Sequence, residues 1–296
     1  MAVEAIGVLD PVERLNRDLK EATKRLSEDE VRYLVDAYYS IQDYRKTSAN
    51  QIRAMRESQE PNEVTMWLFE NNRILESQIK RALDAYTDSV KMGLWCKSIC
   101  GIGPVITAGL LAHIDIHKAP TAGNIWAYAG LNPGQEWKKG EKRPWNARLK
   151  TLCWLLGESF TKVSNRDEDY YGRIYQVRKK MEIEKNEAKE FADQAAEKLK
   201  KFKIGKTTDA YKHYSEGFLP PAHIHARAKR YAVKLFLSHY HWVAHEIYLG
   251  TPPPVPYVIE HMGHVDIIPP PNWPMTAQGY IRPVEERVSK VKAEDE

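Results

Sequence analysis

From residue 27 the sequence carries a helix start followed by an apolar stripe. Ser27 stands three residues before Glu30, and Val31, Leu34, Val35, Tyr38 and Ile41 follow at spacings of three and four. A serine hydroxyl capping the backbone while a glutamate reaches back is a capping box, and that spacing puts the five apolar side chains on one face of an α-helix. Upstream, Val12, Leu15, Leu19 and Leu26 repeat the spacing, and Pro11 suits a first helical turn. Pro61-Asn62-Glu63 interrupts the pattern, which resumes through Met66, Leu68, Ile74, Ile79, Leu83 and Tyr86. Residues 1–92 are therefore expected to form a helical arm of coiled-coil type. Such an arm either folds back as a bundle or hides its apolar face on a second copy, so a homodimer through the arm is expected.

The rest of the chain divides by composition. Residues 93–160 hold glycines, prolines and five tryptophans: Trp95, Trp126, Trp137, Trp145 and Trp154. Residues 176–206 read as one charge-rich helix, with ten Lys/Arg against six Asp/Glu; one face either lies against an anion or is solvated and laced with pairs such as Glu182–Asn186 and Glu197–Lys201. Residues 222–248 read as another helix with one apolar side. Beyond residue 250, TPPPVP and IIPPPNWP cannot continue a helix, so 251–296 is expected as a proline-rich tail strapped along the body. No run alternates as a strand would. The fold class is mostly α: an arm over 1–92, a second domain over 93–250 and the tail.

The 296 residues suffice for one large or two modest cores, and 43% hydrophobic with 28% charged is ordinary for a folded chain. No apolar run approaches the ~20 residues of a membrane span, and the N-terminal MAVEAIGVLDPVERL lacks the basic-then-apolar pattern of a secretory signal. Cys96, Cys100 and Cys153 cannot build a disulfide framework, which suggests a reducing, cytoplasmic setting. The net charge of +4, from 44 Lys+Arg and 40 Asp+Glu, does not by itself imply nucleic acid.

The distribution of that charge says more. In LWCKSICGIGPVITAGLL an apolar helix runs into Gly101-Ile102-Gly103 and leaves as a second apolar helix. The glycines are expected to supply a tight positive-φ turn with Ile102 plugged between the helices. The start of the second helix, near Lys97 and Thr107, could then offer N–H groups to a phosphate, as in a helix-hairpin-helix that contacts backbone without reading bases. A purely structural turn is the competing account. Residues 137–150 carry six basic residues and one acid, with Trp137 and Trp145 interleaved among Lys138, Lys139, Lys142, Arg143, Asn146, Arg148 and Lys150. Cations there would release counterions from phosphates while indoles stack on unpaired bases; a solvated loop with two core tryptophans would look the same. The third stretch runs from His223 to Lys234 and includes His225, Arg227 and Arg230 with no acid. Arg227, Arg230 and Lys234 share a face that could track phosphates, while Tyr231, Leu235 and Trp242 are expected inside; a helix with a snorkelling basic side would look the same. Charge is thus segregated into the middle and late thirds, as a polyanion partner would require.

The segments CGIGPVITAGLLAHI, NIWAYAGLNPGQ, the basic loop and ARLKTLCWLLGES resemble the C-terminal domain of the insertion-sequence-one-ten, bridge-RNA-guided transposases, over roughly residues 94–160. ARAKRYAVKLFL gives a weaker echo of that family's last helix. Two departures matter. The family's N-terminal RuvC-like sheet with four acidic metal ligands has no counterpart in the helical arm, and its catalytic serine, just after the Gln, is missing because Gln135 is followed by Glu136-Trp137-Lys138-Lys139. A helical arm ahead of such a domain is similar to the Nop-domain proteins of box C/D particles, and more so to the Tas proteins of tandem-interspaced-guide-RNA (TIGR) systems. The resemblance to nuclease-free Tas proteins implies a non-catalytic ribonucleoprotein that binds a guide RNA and through it recognises target DNA. The alternatives are a domesticated transposase-derived DNA binder without guide RNA, and a metal-dependent nuclease using the late histidines.

For that last alternative, His239, His241, His245 and the pair His261 and His264 offer spacings a zinc ion could use, but no HExxH order or nearby cysteine completes a site. Packing is the favoured account, as it is for Cys96 and Cys100. His113, Asp115 and His117 alternate in a turn and carry little weight as ligands. No metal, no cofactor and no membrane association is expected. No Walker loop, dinucleotide fingerprint or nucleophile elbow occurs.

Overall fold

The computed structural model describes residues 15–58, 63–132, 137–254 and 267–275. Among the described residues there are eleven α-helices and no strand, so the protein is mostly α. Pro11, Val12, the segment Pro133-Gly134-Gln135-Glu136, His261 and His264 lie outside the described residues.

The chain divides into two compact units. The first contains α1 (Arg17–Thr23), α2 (Glu28–Ser58), α3 (Glu63–Asp88) and α5 (Pro104–His113). Its α2 begins as the capping box requires: the Ser27 hydroxyl and N–H both donate to the Glu30 carboxylate, at 2.8 and 2.7 Å, and Glu30 N–H returns to the Ser27 hydroxyl at 3.3 Å. Those bonds hold the Glu30 carboxyl below its usual range. Val31, Val35 and Tyr38 of α2 pack with Leu83 of α3 and with Val105, Ala108 and Ala112 of α5, with Leu34, Ile79 and Tyr86 around them. Residues 103–113 thus fold with the arm, although the sequence alone groups them with the second domain. Two polar ties fix α2 against its neighbours: Arg45 pairs with Glu76 on α3, and Arg32 Nε donates to the Ala112 carbonyl at 2.6 Å.

The second unit starts with Trp95–Ile102, which includes the end of α4 (Lys91–Ser98), and resumes at Ile114. It contains α6 (Ala122–Tyr128), α7 (Ala147–Val163), α8 (Tyr171–Glu187), α9 (Ala192–Lys201), α10 (Asp209–Ser215) and the 29-residue α11 (Pro221–Leu249). Helix α11 packs against α6, α7 and α8. Aromatic rings make the centre: Phe236 stacks on Trp95 at 5.8 Å and meets Phe160 and Tyr171 edge-on at 5.9 and 5.4 Å. Burial of four such rings supplies much of the apolar driving force of this unit.

Three sequence expectations need correction. Residues 176–206 are not one helix. Lys189 adopts φ 60°, α8 ends at Glu187 and α9 restarts at Ala192. The cause is tertiary: the Asn186 amide donates to the Leu219 carbonyl at 3.0 Å and accepts from its N–H at 2.8 Å, while Phe191 and Ala195 bury against Leu219 and Ile224. Glu182 pairs with Arg178 and Arg227 rather than with Asn186. At the Gly-Ile-Gly turn only Gly101 has positive φ, 90°, with Val163 and Ser159 at 3.0 and 3.3 Å from where a Cβ would stand. A Cβ at Gly103 meets nothing within 4 Å, so that glycine is not sterically required. Third, Tyr231 is not inside: it is 39% exposed, with the Arg178 guanidinium 4.7 Å above its ring.

The described part of the proline-rich tail, residues 267–275, is tied to this unit by donors. His239 Nε2–H gives to the Ile268 carbonyl at 2.9 Å, Trp95 Nε1–H to Pro271 at 2.9 Å, Asn272 Nδ2–H to the Ser98 carbonyl at 2.9 Å, and Trp273 Nε1–H to Glu246 at 2.7 Å. With Nε2 protonated, His239 Nδ1 accepts from the Tyr171 hydroxyl at 2.7 Å. The ring is 1% exposed, and burial pushes its pKa down from 6.5 to about 4. Because the unfolded chain protonates this histidine first, its contribution is intact above pH 6.5 and is lost as pH falls towards 4. That fall amounts to about 3 kcal/mol. Urea denaturation across this window is expected to show the loss, and His239→Gln, which keeps a donor without the titration, to remove its share and leave that of His223, which is also pushed down to about 4.

Candidate nucleic-acid interface

The second basic stretch is built on the start of α7. Asn146 caps that helix, its Oδ1 accepting from Leu149 N–H at 3.0 Å, and its Nδ2 donates to the Tyr128 hydroxyl at 2.9 Å. Asn146 N–H also donates to the Tyr128 carbonyl at 2.8 Å. Asn146 is therefore a clamp between α6 and α7. Gly130 turns the chain at φ 65° after α6, and a Cβ there would lie 2.8 Å from Trp145 Cγ and 3.1 Å from Lys150 Cδ. The bare glycine lets the Trp145 ring and the Lys150 stem lie against the backbone, and the Lys150 ammonium sits 4.0 Å above that ring. Next along the loop, Arg143 lies 4.8 Å over Trp137, whose Nε1–H donates to the Glu141 carbonyl at 2.7 Å. Lys138, Lys139, Lys142, Arg143, Arg148 and Lys150 are all exposed.

The third stretch comes to the same place. Burial, then the positive charges of Arg143 and Arg230, push the Lys150 pKa below its ordinary value. Burial and Arg230 do the same to Lys234, and burial and Arg227 to Arg230. Each of these cations bears on the next, so the loop before α7 and the face of α11 form one electrostatic site. No described carboxylate pairs with Arg143, Lys150, Arg230 or Lys234. A lysine whose charge is disfavoured by its neighbours is poised to gain from an anion. Lys234 sits 4.2 Å over Trp126, and its carbonyl accepts the Trp126 Nε1–H at 2.9 Å. Sequence reasoning did not single out Trp126, nor Lys198 on α9. Lys198 acts on His223, whose pKa falls to about 4 through burial and the charges of Lys198, Arg227 and Arg230. The run of lysines on α9 was the available signal.

Other predicted residues have different roles. Arg227 holds Glu182, which is 1% exposed: Arg227 Nε donates to one carboxylate oxygen and Arg178 to the other, at 2.6 and 2.8 Å. Burial alone would raise the Glu182 carboxyl, but those arginines hold it below the carboxylate range. Arg227 also donates to Gln194 at 2.9 Å and covers Phe191, so its charge is committed inside the fold. His223 and His225 meet the hydroxyls of Tyr214 and Tyr175. Thr107 is 0% exposed on α5, where an outside polyanion does not reach it. Lys97 is half-buried, and the Gly101 carbonyl accepts from the Ser159 hydroxyl. Gly103, which precedes α5, and Thr107 belong to the first unit, not to this cluster.

The late histidines are packing elements where they are described. Both ring nitrogens of His239 are engaged, by Ile268 and Tyr171. His241 Nε2–H donates to Ala119 and His245 Nδ1–H to Thr251, each at 2.9 Å. Asp115 caps a short 3₁₀ turn, accepting from His117 N–H at 3.0 Å. Among the described residues no three His, Cys, Asp or Glu side chains come together as a metal ion needs. Burial pushes the thiols of Cys96 and Cys153 up, the latter to about 12. No helix among the described residues is long and apolar enough to cross a membrane.

The sequence model of the Transposase IS116/IS110/IS902 family matches residues 96–169, from α4 to the loop before α8. That part of the chain is a transposase-related segment, carrying the Gly101 turn, the basic loop and all of α7. No curated protein matches the chain, and no solved structure does.

Gly130→Ala is expected to destabilise by about 1–3 kcal/mol, from the positive φ and the collision with Trp145. Because the collision displaces the ring under Lys150, polyanion affinity should drop as well. Urea denaturation and binding of a fluorescent oligonucleotide would measure the two together.

Proposed function

We propose that this transposase-derived protein is a non-catalytic, guide-RNA-binding protein that presents its RNA for pairing with target DNA. The observation that carries the reading is the convergence of Arg143, Lys150, Arg230 and Lys234 without an opposing carboxylate among the described residues. Partly desolvated cations in mutual repulsion, beside Trp145 and Trp126, suit a flexible polyanion whose phosphates and bases can both be met. The protein supplies backbone grip, and base pairing supplies sequence. The helical arm and the lack of a serine after Gln135 support binding without strand cleavage. The arm's exposed Tyr33, Tyr44, Trp67 and Leu68 support pairing with a second copy.

The family match itself favours a second reading, a DNA-binding remnant without guide RNA. Sequencing the polynucleotide that accompanies the purified protein separates the two. A discrete short RNA supports the proposal, whereas mixed duplex DNA fragments support the remnant. Sedimentation of the same sample reads the dimer. Cleavage of DNA on adding a divalent metal would overturn the non-catalytic part.

The grip has its own test. Lys150→Gln with Arg230→Gln is expected to weaken RNA binding at least tenfold. It should also flatten the dependence of log affinity on log salt by about 1.4, for two phosphate contacts on a single strand. Folding stability should stay level or rise, because two repelling charges are gone. A double variant that binds RNA as wild type does would remove this cluster from the site.

A further inference from the structure

One tryptophan of the second unit stays largely in water although it is flanked by the binding cluster's own elements. Trp154 on α7 is 57% exposed, and an indole so placed gains little from the hydrophobic core. Its surroundings are nonetheless ordered. One turn towards the helix start lies Lys150; three residues on lies Gly157, where a Cβ would stand 2.7 Å from Lys229 Cγ and 3.2 Å from Val233 Cγ2. The missing side chain lets the Lys229 stem cross α7. Its ammonium is pinned by Glu158 and is held 5.3 Å over the Trp154 ring, on a side chain only 11% exposed. The Glu158 carboxyl is kept below its usual range chiefly by that lysine. Lys229 is therefore fixed in place rather than a loose surface cation.

We propose that Trp154 is a stacking platform for an unpaired base, a residue that makes the surface select single-stranded over duplex nucleic acid. One face of the ring is backed by the Lys229 cation, and the ring is left open to receive a flat aromatic partner. Lys150, a turn away on the same helix, is placed to meet the flanking phosphate. A base inside a duplex already stacks on both faces and presents none to the ring, so duplex binding gains nothing from Trp154. The proposal rests on the reading of the cluster as an RNA grip and adds what kind of strand it takes.

The experiment compares full-length wild type, Trp154→Ala and Trp154→Phe on a single-stranded oligouridylate and on an RNA duplex of equal length. Trp154→Ala is expected to weaken single-strand binding by roughly 5- to 100-fold and leave duplex binding unchanged, with Trp154→Phe recovering part of the loss. A 5-iodouridine at one position of the oligouridylate should crosslink to the peptide that contains Trp154. If Trp154→Ala weakens both ligands equally or neither, or if no crosslink maps to that peptide, the platform is wrong while the cationic grip stands. The grip itself fails separately, if Lys150→Gln with Arg230→Gln changes nothing on the same single strand. Wild type that binds only the duplex overturns both.

Discussion

The second unit is organised by the double duty of α11. Phe236 of that helix sits among Trp95, Phe160 and Tyr171, while Arg230 and Lys234 lie on its outer side. Apolar burial fixes the helix rigidly enough for the cations to be forced together and partly desolvated. Lysines on a loose surface would instead spread apart and keep their full hydration. The same helix supplies Lys229 to Glu158 and Arg227 to Glu182. Its cations thus divide into those with a carboxylate inside the fold and those without one among the described residues.

That division separates the arginines and lysines that the fold already neutralises from those it does not. Arg227 and Arg178 neutralise a carboxylate that burial alone would push towards its neutral form, and removing both would leave an uncompensated ion. Arg143, Lys150, Arg230 and Lys234 neutralise nothing described, and repel one another. Cations with and without a carboxylate partner among the described residues lie within a few residues on one helix, so charge count along the sequence cannot tell them apart.

Much of the helical layout was legible in the sequence because it obeys local rules. The capping box at Ser27 and Glu30 and the spacing of Val31, Leu34, Val35 and Tyr38 are short-range signals, and both appear in the structure. What was not legible depends on distant partners. Nothing near residues 188–191 announces a helix break, because the cause is the clasp of Asn186 on Leu219. Tyr231 reads as an inward residue until Arg178 from α8 is placed over it. Gly101 and Gly103 look equivalent on paper, and only the backbone shows which one needs positive φ. At the candidate site the loop cations stand out in the sequence as a basic run, whereas Trp126 owes its place to Lys234, more than a hundred residues away.

The attachment of residues 267–275 has a consequence for solubility. Pro269, Pro270, Pro271 and Pro274 have no N–H, so this stretch offers chiefly acceptors, and the imidazole of His239 and the indole of Trp95 answer with donors. A segment with four residues that cannot donate makes a poor template for another extended chain. Ile267 and Ile268 are half in water, yet the prolines beside them withhold the hydrogen-bond ladder on which intermolecular β-aggregation would grow.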